Sequence, residues 1–195
     1  MRKDYSDNPL ANSWRERYDM QSDAIKEKLD ALKTMPVSEF QLQVIKKERK
    51  FMPEKGDVFV TSPRNSIYFY GVVVNAGIDN NNGNDLLVVM IFKDKTKSLQ
   101  DINFDVDYNN LLIPPEIVGR EYWTKGYFYN IGLNIQIPHN LDYGFYRVVS
   151  EKYVNEYLQE IDHIPKLLGC YGVSTISGIA KNINKEIIIN ESLLE

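Results

Sequence analysis

Two apolar stretches, IYFYGVVV at residues 67–74 and LLVVMIF at residues 86–92, decide the fold of this chain. Both are rich in β-branched and aromatic residues, a composition typical of β-strands. The polar segment DNNNGND at residues 79–85 lies between them and has the composition of a hairpin loop. Because the second stretch is apolar at every position, it predicts a central strand that is buried on both faces.

Other strand candidates lie on both sides of these two stretches. They are VFV at 58–60, DINFDVDY at 101–108, YFYNIGL at 127–133 and YGFYRVV at 143–149. Gly71 inside the first apolar stretch indicates a bend, a bulge or a close backbone approach. In LLIPPEIV, Pro114 and Pro115 exclude a central strand position because proline cannot donate to the ladder.

The N-terminal part of the chain has helical periodicity. Residues 9–34 place apolar side chains three, four or seven positions apart, and Ser22 allows either one long helix or two shorter ones. Pro36 ends this segment. A second helix is predicted after Ser38, ending in the basic run KKERK at residues 46–50, where lysines suit a helix C-terminus.

The C-terminal part is also predicted to be largely helical. Residues 150–160 have one apolar face, with Ser150 as a possible N-cap. Isoleucines spaced three and four apart within residues 173–194 favour a helix, whereas KEIIIN at 185–190 favours a strand. That final segment is predicted as helix or as a mixture of both.

Together these patterns predict an α+β fold. A curled antiparallel sheet of about five to seven strands, SH3-like or a partly open barrel, occupies residues 56–149. We expect residues 1–53 to be an N-terminal helical segment packed on the main body. Residues 54–195 are expected to form a β-rich domain with C-terminal helices.

Composition excludes several classes of site. Cys170 is the one cysteine among 195 residues, so an intramolecular disulfide and a cysteine-rich zinc site are excluded. It lies in LLGCYG, an apolar context typical of a buried, inert thiol. His139 and His163 lack a catalytic motif, although the Asp162 carboxylate could raise the pKa of the adjacent His163. We expect no catalytic residue, metal or cofactor, and a chain that acts in the cytoplasm without membrane contact.

Charge is unevenly distributed along the chain. Residues 1–55 carry a net charge of +2, whereas residues 56–195 carry −6, within a total of −4. An acidic main body makes nucleic acid an improbable ligand because there is no basic stripe to neutralise phosphates. The same charge favours a basic protein partner, although acidity also serves solubility.

The segment DINFDVDY at residues 101–108 alternates strictly between polar and apolar residues. In a strand, Asp101, Asp105 and Asp107 would share one face. Three interpretations stay open for this face: a solvated or charge-protected edge, a surface that binds a protein, or a site for a cation. If the acidic face binds a protein, exposed aromatic residues near it would complete the binding site. The expected contact residues are Tyr68, Tyr70, Asp85, Asp101, Asp105 and Asp107.

Four short motifs in a fixed order resemble the immunity protein 26 family of bacterial polymorphic toxin systems. They are KGDVFV at 55–60, GVV at 71–73, NLLIPP at 110–115 and WTKGYF at 123–128. The resemblance covers roughly residues 54–150, while the N-terminal helical segment lies outside it. Gly56 and Gly71 in these motifs suit tight backbone positions, and Leu111 and Leu112 suit a core.

The resemblance implies a small β-rich protein that binds and neutralises a cognate toxin domain without catalysis. It transfers no catalytic residue and no toxin contact to this sequence. The Gly-Asp-Val start followed by short strands is also similar to SH3-like barrels, including ribonucleases of toxin–antitoxin pairs. That alternative predicts an RNA cleft with basic groups, which the charge of residues 56–195 disfavours.

Overall fold

The computed structural model describes residues 8–100 and 102–195. Five strands form one antiparallel sheet in the order β4-β3-β2-β1-β5. They are β1 (Asp57–Arg64), β2 (Ile67–Asn80), β3 (Gly83–Thr96), β4 (Leu111–Val118) and β5 (Phe128–Asn134). Three further strands form a second sheet in the order β7-β6-β8, in which β8 runs parallel to β6. They are β6 (Tyr143–Arg147), β7 (Lys152–Val154) and β8 (Leu167–Cys170).

The fold is α+β, as predicted, and within the described residues neither sheet closes into a barrel. Five α-helices and a final 3-10 turn are described beside the sheets. They are α1 (Pro9–Asp19), α2 (Asp23–Thr34), α3 (Val37–Phe40), α4 (Glu121–Thr124), α5 (Ile176–Ile189) and the turn Glu191–Leu194. None of the described helices is long and apolar enough to span a membrane.

The predicted hairpin is the centre of the structure. It consists of β2 and β3, and every residue from 86 to 92 is buried. Side chains alternate between two cores because successive residues of a strand point to opposite faces. Leu87 and Val89 belong to the core on the helical side, whereas Val88 and Met90 belong to the core on the other side. The predicted central strand is therefore confirmed.

Helices cover the first face of the large sheet. Ile179, Ile183 and Ile187 of α5 are buried there, at the spacing of one helical face. Their helix begins after Thr175, whose hydroxyl accepts from the Gly178 N–H, so the final segment is helical through residue 189. Ser22 caps α2 through the Ile25 N–H, and the N-terminal segment accordingly forms two helices.

The second predicted N-terminal helix is wrong beyond Phe40. Residues 41–48 are extended, and their backbone N–H groups bond to distant carbonyls: Gln43 to Ser62 (2.7 Å), Ile45 to Gly126 (2.8 Å) and Glu48 to Trp123 (3.0 Å). These long-range bonds replace the local bonds of a helix. The basic run at residues 46–50 therefore lies outside any described helix.

The helix predicted over residues 150–160 is also wrong. This stretch contains β7 and two turns, and Glu151 and Leu158 adopt φ values of 58° and 68°, which a right-handed helix does not allow. The Asn155 side chain accepts from the N–H groups of Tyr157 and Gln159, which closes the second turn.

Two predictions from glycine and proline are confirmed. β4, which contains Pro114 and Pro115, is an edge strand. Gly71 makes a close approach, because an added Cβ would lie 2.3 Å from the Phe59 ring. That ring cannot easily move, since it stacks on Phe128 at a centroid distance of 4.3 Å and meets the edge of Trp123 at 5.3 Å.

Asn184→Ala is expected to lower the free energy of unfolding by about 2 kcal/mol. Asn184 is 2% exposed; its amide donates to the carbonyls of Phe40 (2.9 Å) and Ala180 (2.8 Å) and accepts from Arg64 (2.8 Å). Removing it leaves buried polar groups without partners. Urea unfolding would measure the loss, and Asn65→Ala in the exposed β1–β2 turn should change stability by no more than about 0.5 kcal/mol. Equal losses in both variants would contradict the structural role of Asn184.

Candidate functional site

The acidic segment predicted as a strand is an extended segment that crosses the face of the large sheet. Residues 102–108 pair with no strand in the described chain, yet the predicted alternation is present from residue 103 onward. Ile102, predicted on the apolar face, is exposed. Phe104, Val106 and Tyr108 pack against the core, whereas Asp105 and Asp107 are exposed. We call Asp105 and Asp107, with the exposed Asn103 beside them, the acidic ledge. Asp101 lies outside the described residues.

Aromatic stacking holds the ledge in place. The Phe104 ring stacks on Tyr70 at 4.7 Å and lies 5.3 Å from Phe92, which also meets Tyr108 at 5.9 Å. Each such pair adds about 1 kcal/mol to the free energy gained by burial. The carboxylates above these rings are therefore presented on a well-anchored backbone.

A turn at the end of the ledge connects it to the sheet. The Asp107 side chain accepts from the N–H and the amide of Asn109, both at 2.9 Å. The Asn110 N–H donates to the Asp107 carbonyl (2.9 Å), and its carbonyl accepts from the Lys93 N–H (2.9 Å). These bonds fix Asp107 beside the end of β3.

The structure brings only part of the predicted contact set together. Tyr70 is 1% exposed and supports the ledge from below, so it presents no surface to a partner. Tyr68 is half-buried and pairs with Thr96 near the end of β3. Asp85 lies close to the β2–β3 turn, eight residues along β3 from Lys93, which corresponds to roughly 25 Å.

A second carboxylate group lies beside the ledge and was missed by the sequence analysis. Asp142 accepts from the Lys166 N–H (3.1 Å) and meets the Nε2 atom of His163 (3.0 Å). These two hydrogen bonds hold the pKa of Asp142 below its ordinary value. Hydrogen bonds to Asp142, and secondarily to Asp162, raise the pKa of His163, so the predicted influence of Asp162 is present but second in size.

A cleft of about 180 Å³ joins the two acidic groups. Tyr108 and Asn109 line it on the side of the ledge, and Asp142 lines the other side. Lys166, also in the lining, donates to the Asn109 side chain at 2.8 Å. The resulting surface is acidic, with Lys166 bonded to both of its sides, and it suits a partner that offers both cations and hydrogen-bond acceptors.

The remaining expectations from the sequence concern a cation site and the thiol of Cys170. Among residues 8–100 and 102–195, no three His, Cys, Asp or Glu side chains are grouped as metal ligands would be. Cys170 is exposed at the end of β8, which corrects the prediction of a buried thiol. Partial desolvation still raises the pKa of this thiol, with a smaller contribution from Glu116.

Comparison with known proteins supports the motif order. The family model for Immunity protein 26 matches residues 54–147, from just before β1 to the last residue of β6. The match includes the large sheet and the acidic ledge, and excludes α1, α2, α3 and α5. No curated protein and no solved structure gives a significant match. Over residues 54–147, the chain is therefore similar to the immunity protein 26 family, and the resemblance predicted from its motifs is confirmed.

Proposed function

We propose that this chain is an immunity protein that binds a cognate toxin domain and neutralises it without catalysis. The observation that carries the proposal is the family match over residues 54–147. A polymorphic toxin system of competing bacteria is the setting implied by the resemblance, and we propose that the chain acts in the cytoplasm of the cell that it protects.

The acidic ledge is the proposed toxin contact. Asp105 and Asp107 are exposed on a backbone that aromatic stacking anchors, so little conformational entropy is lost when they meet a partner. We include Asp142, which shares a cleft with Tyr108 and Asn109, and Tyr68, which lies two residues before Tyr70 on β2. Asp101 precedes the ledge in sequence. The complementary toxin surface is a basic groove, and in a nuclease toxin the carboxylates would take the place of substrate phosphates.

A rescue experiment tests the proposed function. The toxin domain encoded by the gene immediately upstream is expressed in a heterologous host, with and without this protein. Rescue of growth together with a stable one-to-one complex is the expected result. Toxicity that persists with no complex would refute the assignment for that pair. Cleavage of RNA by the purified protein alone would support the ribonuclease alternative instead.

Reversing the charge of the ledge is expected to slow toxin association about tenfold, with a smaller change in dissociation. The variants are Asp105→Lys, which disturbs no described hydrogen bond, and the double variant Asp105→Lys with Asp107→Lys. Surface plasmon resonance at low and physiological salt measures both rate constants. The effect should shrink at high salt because ions screen exposed charges.

A matched control changes net charge by the same amount elsewhere. Glu16→Lys with Glu27→Lys replaces two exposed carboxylates on α1 and α2. This control should leave the association rate within about twofold of the original. If the ledge variant associates as fast as the control, the ledge is not the toxin contact.

A further inference from the structure

A separate cleft lies where the N-terminal helices meet the sheets. It has a volume of about 260 Å³ and lies between α1, β4, β8 and α5. We call it the Trp14 cleft, defined by Trp14, Lys185, Asn182, Glu116, Cys170 and Ile113. We propose that the Trp14 cleft binds a small carboxylic acid with an apolar body, such as a phenylalkanoate.

The cleft offers an apolar surface for the body of such a ligand. The Trp14 indole, Leu10, Ile113 and Pro114 contribute to its walls. An aromatic side chain facing aliphatic groups is the usual lining of a small-molecule site, with a few polar groups to fix orientation. The volume admits a ligand near the lower end of the usual size range.

Lys185 supplies the cation for the carboxylate. Its ammonium lies 4.8 Å from the centroid of the Trp14 ring and donates to the Asn182 side chain at 3.3 Å. Among the described residues, no carboxylate oxygen lies within 4 Å of this ammonium. Desolvation, and then repulsion from Lys181, lower the pKa of Lys185, so a bound anion would stabilise its charged form.

The neighbouring cation is already neutralised. Arg17 lines the mouth of the cleft and forms an ion pair with Glu186 at 2.6 Å. The guanidinium group of Arg17 also lies over the Trp14 ring, 5.9 Å from its centroid. Lys185 is therefore the cleft cation that lacks an ion-pair partner among the described residues, and it determines the sign of the ligand.

Glu116 is another charged residue that lines the cleft, and it is 7% exposed. Its carboxylate accepts hydrogen bonds from Ser174 and from Asn182, the latter at 3.3 Å. Burial raises its pKa to about 7, against the opposing influence of these two bonds and of Lys185. The other titratable groups near Glu116 are Cys170 and Tyr122, whose pKa values are raised by burial first and by the charge of Glu116 second.

Glu116 makes ligand binding depend on pH. A bound carboxylate repels an ionised Glu116, so binding favours the protonated side chain, which can donate a hydrogen bond. Affinity should therefore fall as the pH rises from 6 to 8. With Glu116→Gln, which is neutral at every pH, the affinity should stay at its low-pH level throughout this range.

The test uses 3-phenylpropionate as the probe and 3-phenylpropanamide as its uncharged counterpart. Isothermal titration calorimetry at pH 6 on the full chain should show binding of the acid and at least tenfold weaker binding of the amide. Quenching of tryptophan fluorescence, absent in Trp14→Phe, should accompany it, since Trp123 is fully buried in the core. Lys185→Met should weaken binding at least tenfold, whereas Lys185→Arg and the neighbouring Lys181→Met should retain it.

Three results would overturn the proposal. They are no binding of the acid at about 10 mM, equal affinity for the amide, and unchanged affinity in Lys185→Met. Thermal unfolding of each variant verifies that it is folded. Because this test requires no toxin, its failure would not count against the proposed immunity function. Failure of toxin rescue would likewise not count against ligand binding in the Trp14 cleft.

Discussion

Gly56→Ala is expected to lower the free energy of unfolding by about 3 kcal/mol, and the melting temperature by about 10 °C. Gly56 has a φ of 93°, a region that L-residues rarely adopt. An added Cβ would also lie 2.4 Å from the Ile135 carbonyl oxygen, a backbone atom that cannot rotate away. Gly56 is fixed at this place, since its N–H donates to the Val73 carbonyl (2.8 Å) and its carbonyl accepts from Ile135 (2.9 Å).

Gly77→Ala is the control that separates backbone conformation from steric contact. Gly77 has a φ of 65°, and no atom lies within 4 Å of its added Cβ. This variant should lose only about 1 kcal/mol of unfolding free energy, which is the cost of placing an L-residue at a positive φ. Differential scanning calorimetry and urea titration measure both variants. If Gly56→Ala is no more destabilised than Gly77→Ala, the close approach to Ile135 does not contribute to stability.

Sequence reasoning was most successful where a pattern concerned local chemistry. The apolar run at residues 86–92 has no polar face, and its short length and β-branched residues favour a strand that is covered on both faces. Pro114 and Pro115 likewise restrict β4 to an edge, because the missing N–H groups would leave gaps in an interior ladder. These constraints act within a few residues, so the sequence contains them.

The missed elements depend on partners far away in sequence. Residues 41–48 contain apolar residues that fit a helix, but the extended form gains backbone hydrogen bonds to Ser62, Gly126 and Trp123. The Glu48 side chain additionally accepts from the Asn130 N–H at 3.0 Å, which occupies part of the β5 edge. Nothing within residues 41–48 specifies these partners, and tertiary context therefore overrides local propensity.

The sequence predicted which side chains of the acidic segment are exposed, but it did not predict which other residues lie beside them. Alternating residues within 103–108 correctly separated the exposed carboxylates from the half-buried rings, since an extended backbone has this period even without strand pairing. Tyr70 could not be distinguished from Tyr68 by periodicity, and the stacking of Phe104 decides its burial. Asp142 is adjacent to the ledge only because β6 and β8 bring residues 142 and 166 together.

Glu116 had a signal in the sequence that points to an unusual environment. It is the one charged residue of LLIPPEIV, and a carboxylate in an apolar strand must be either exposed at an edge or buried with partners. The structure shows burial, with Ser174 and Asn182 as hydrogen-bond donors. These two bonds lessen the cost of the charge without cancelling it, because the pKa stays raised, at about 7.

Glu116→Gln is expected to be more stable than the original chain at pH 8 by roughly 3 kcal/mol. The pKa of Glu116 is about 7 in the folded protein against an ordinary 4.5, so the folded state binds the proton more tightly than the unfolded state. The stabilisation from this proton is complete below pH 4.5 and is lost as the pH rises through 7. Glutamine keeps the shape without the charge, and its oxygen can accept from Asn182 while its NH2 group donates to the Ser174 hydroxyl oxygen. The variant should therefore lack this loss.

Urea unfolding at pH 5, 6, 7 and 8 measures the difference in stability between the two chains, which should grow from pH 5 to 7 and level off above pH 7. His163 also has a raised pKa, and its own stabilisation is lost over an overlapping range, but it is present in both chains and cancels in the difference. Glu54→Gln, at an exposed carboxylate, provides the control and should not change the slope of stability with pH. A constant difference from pH 5 to 8 would mean that Glu116 is ionised throughout, and the pH dependence proposed for the Trp14 cleft would then lose its physical basis.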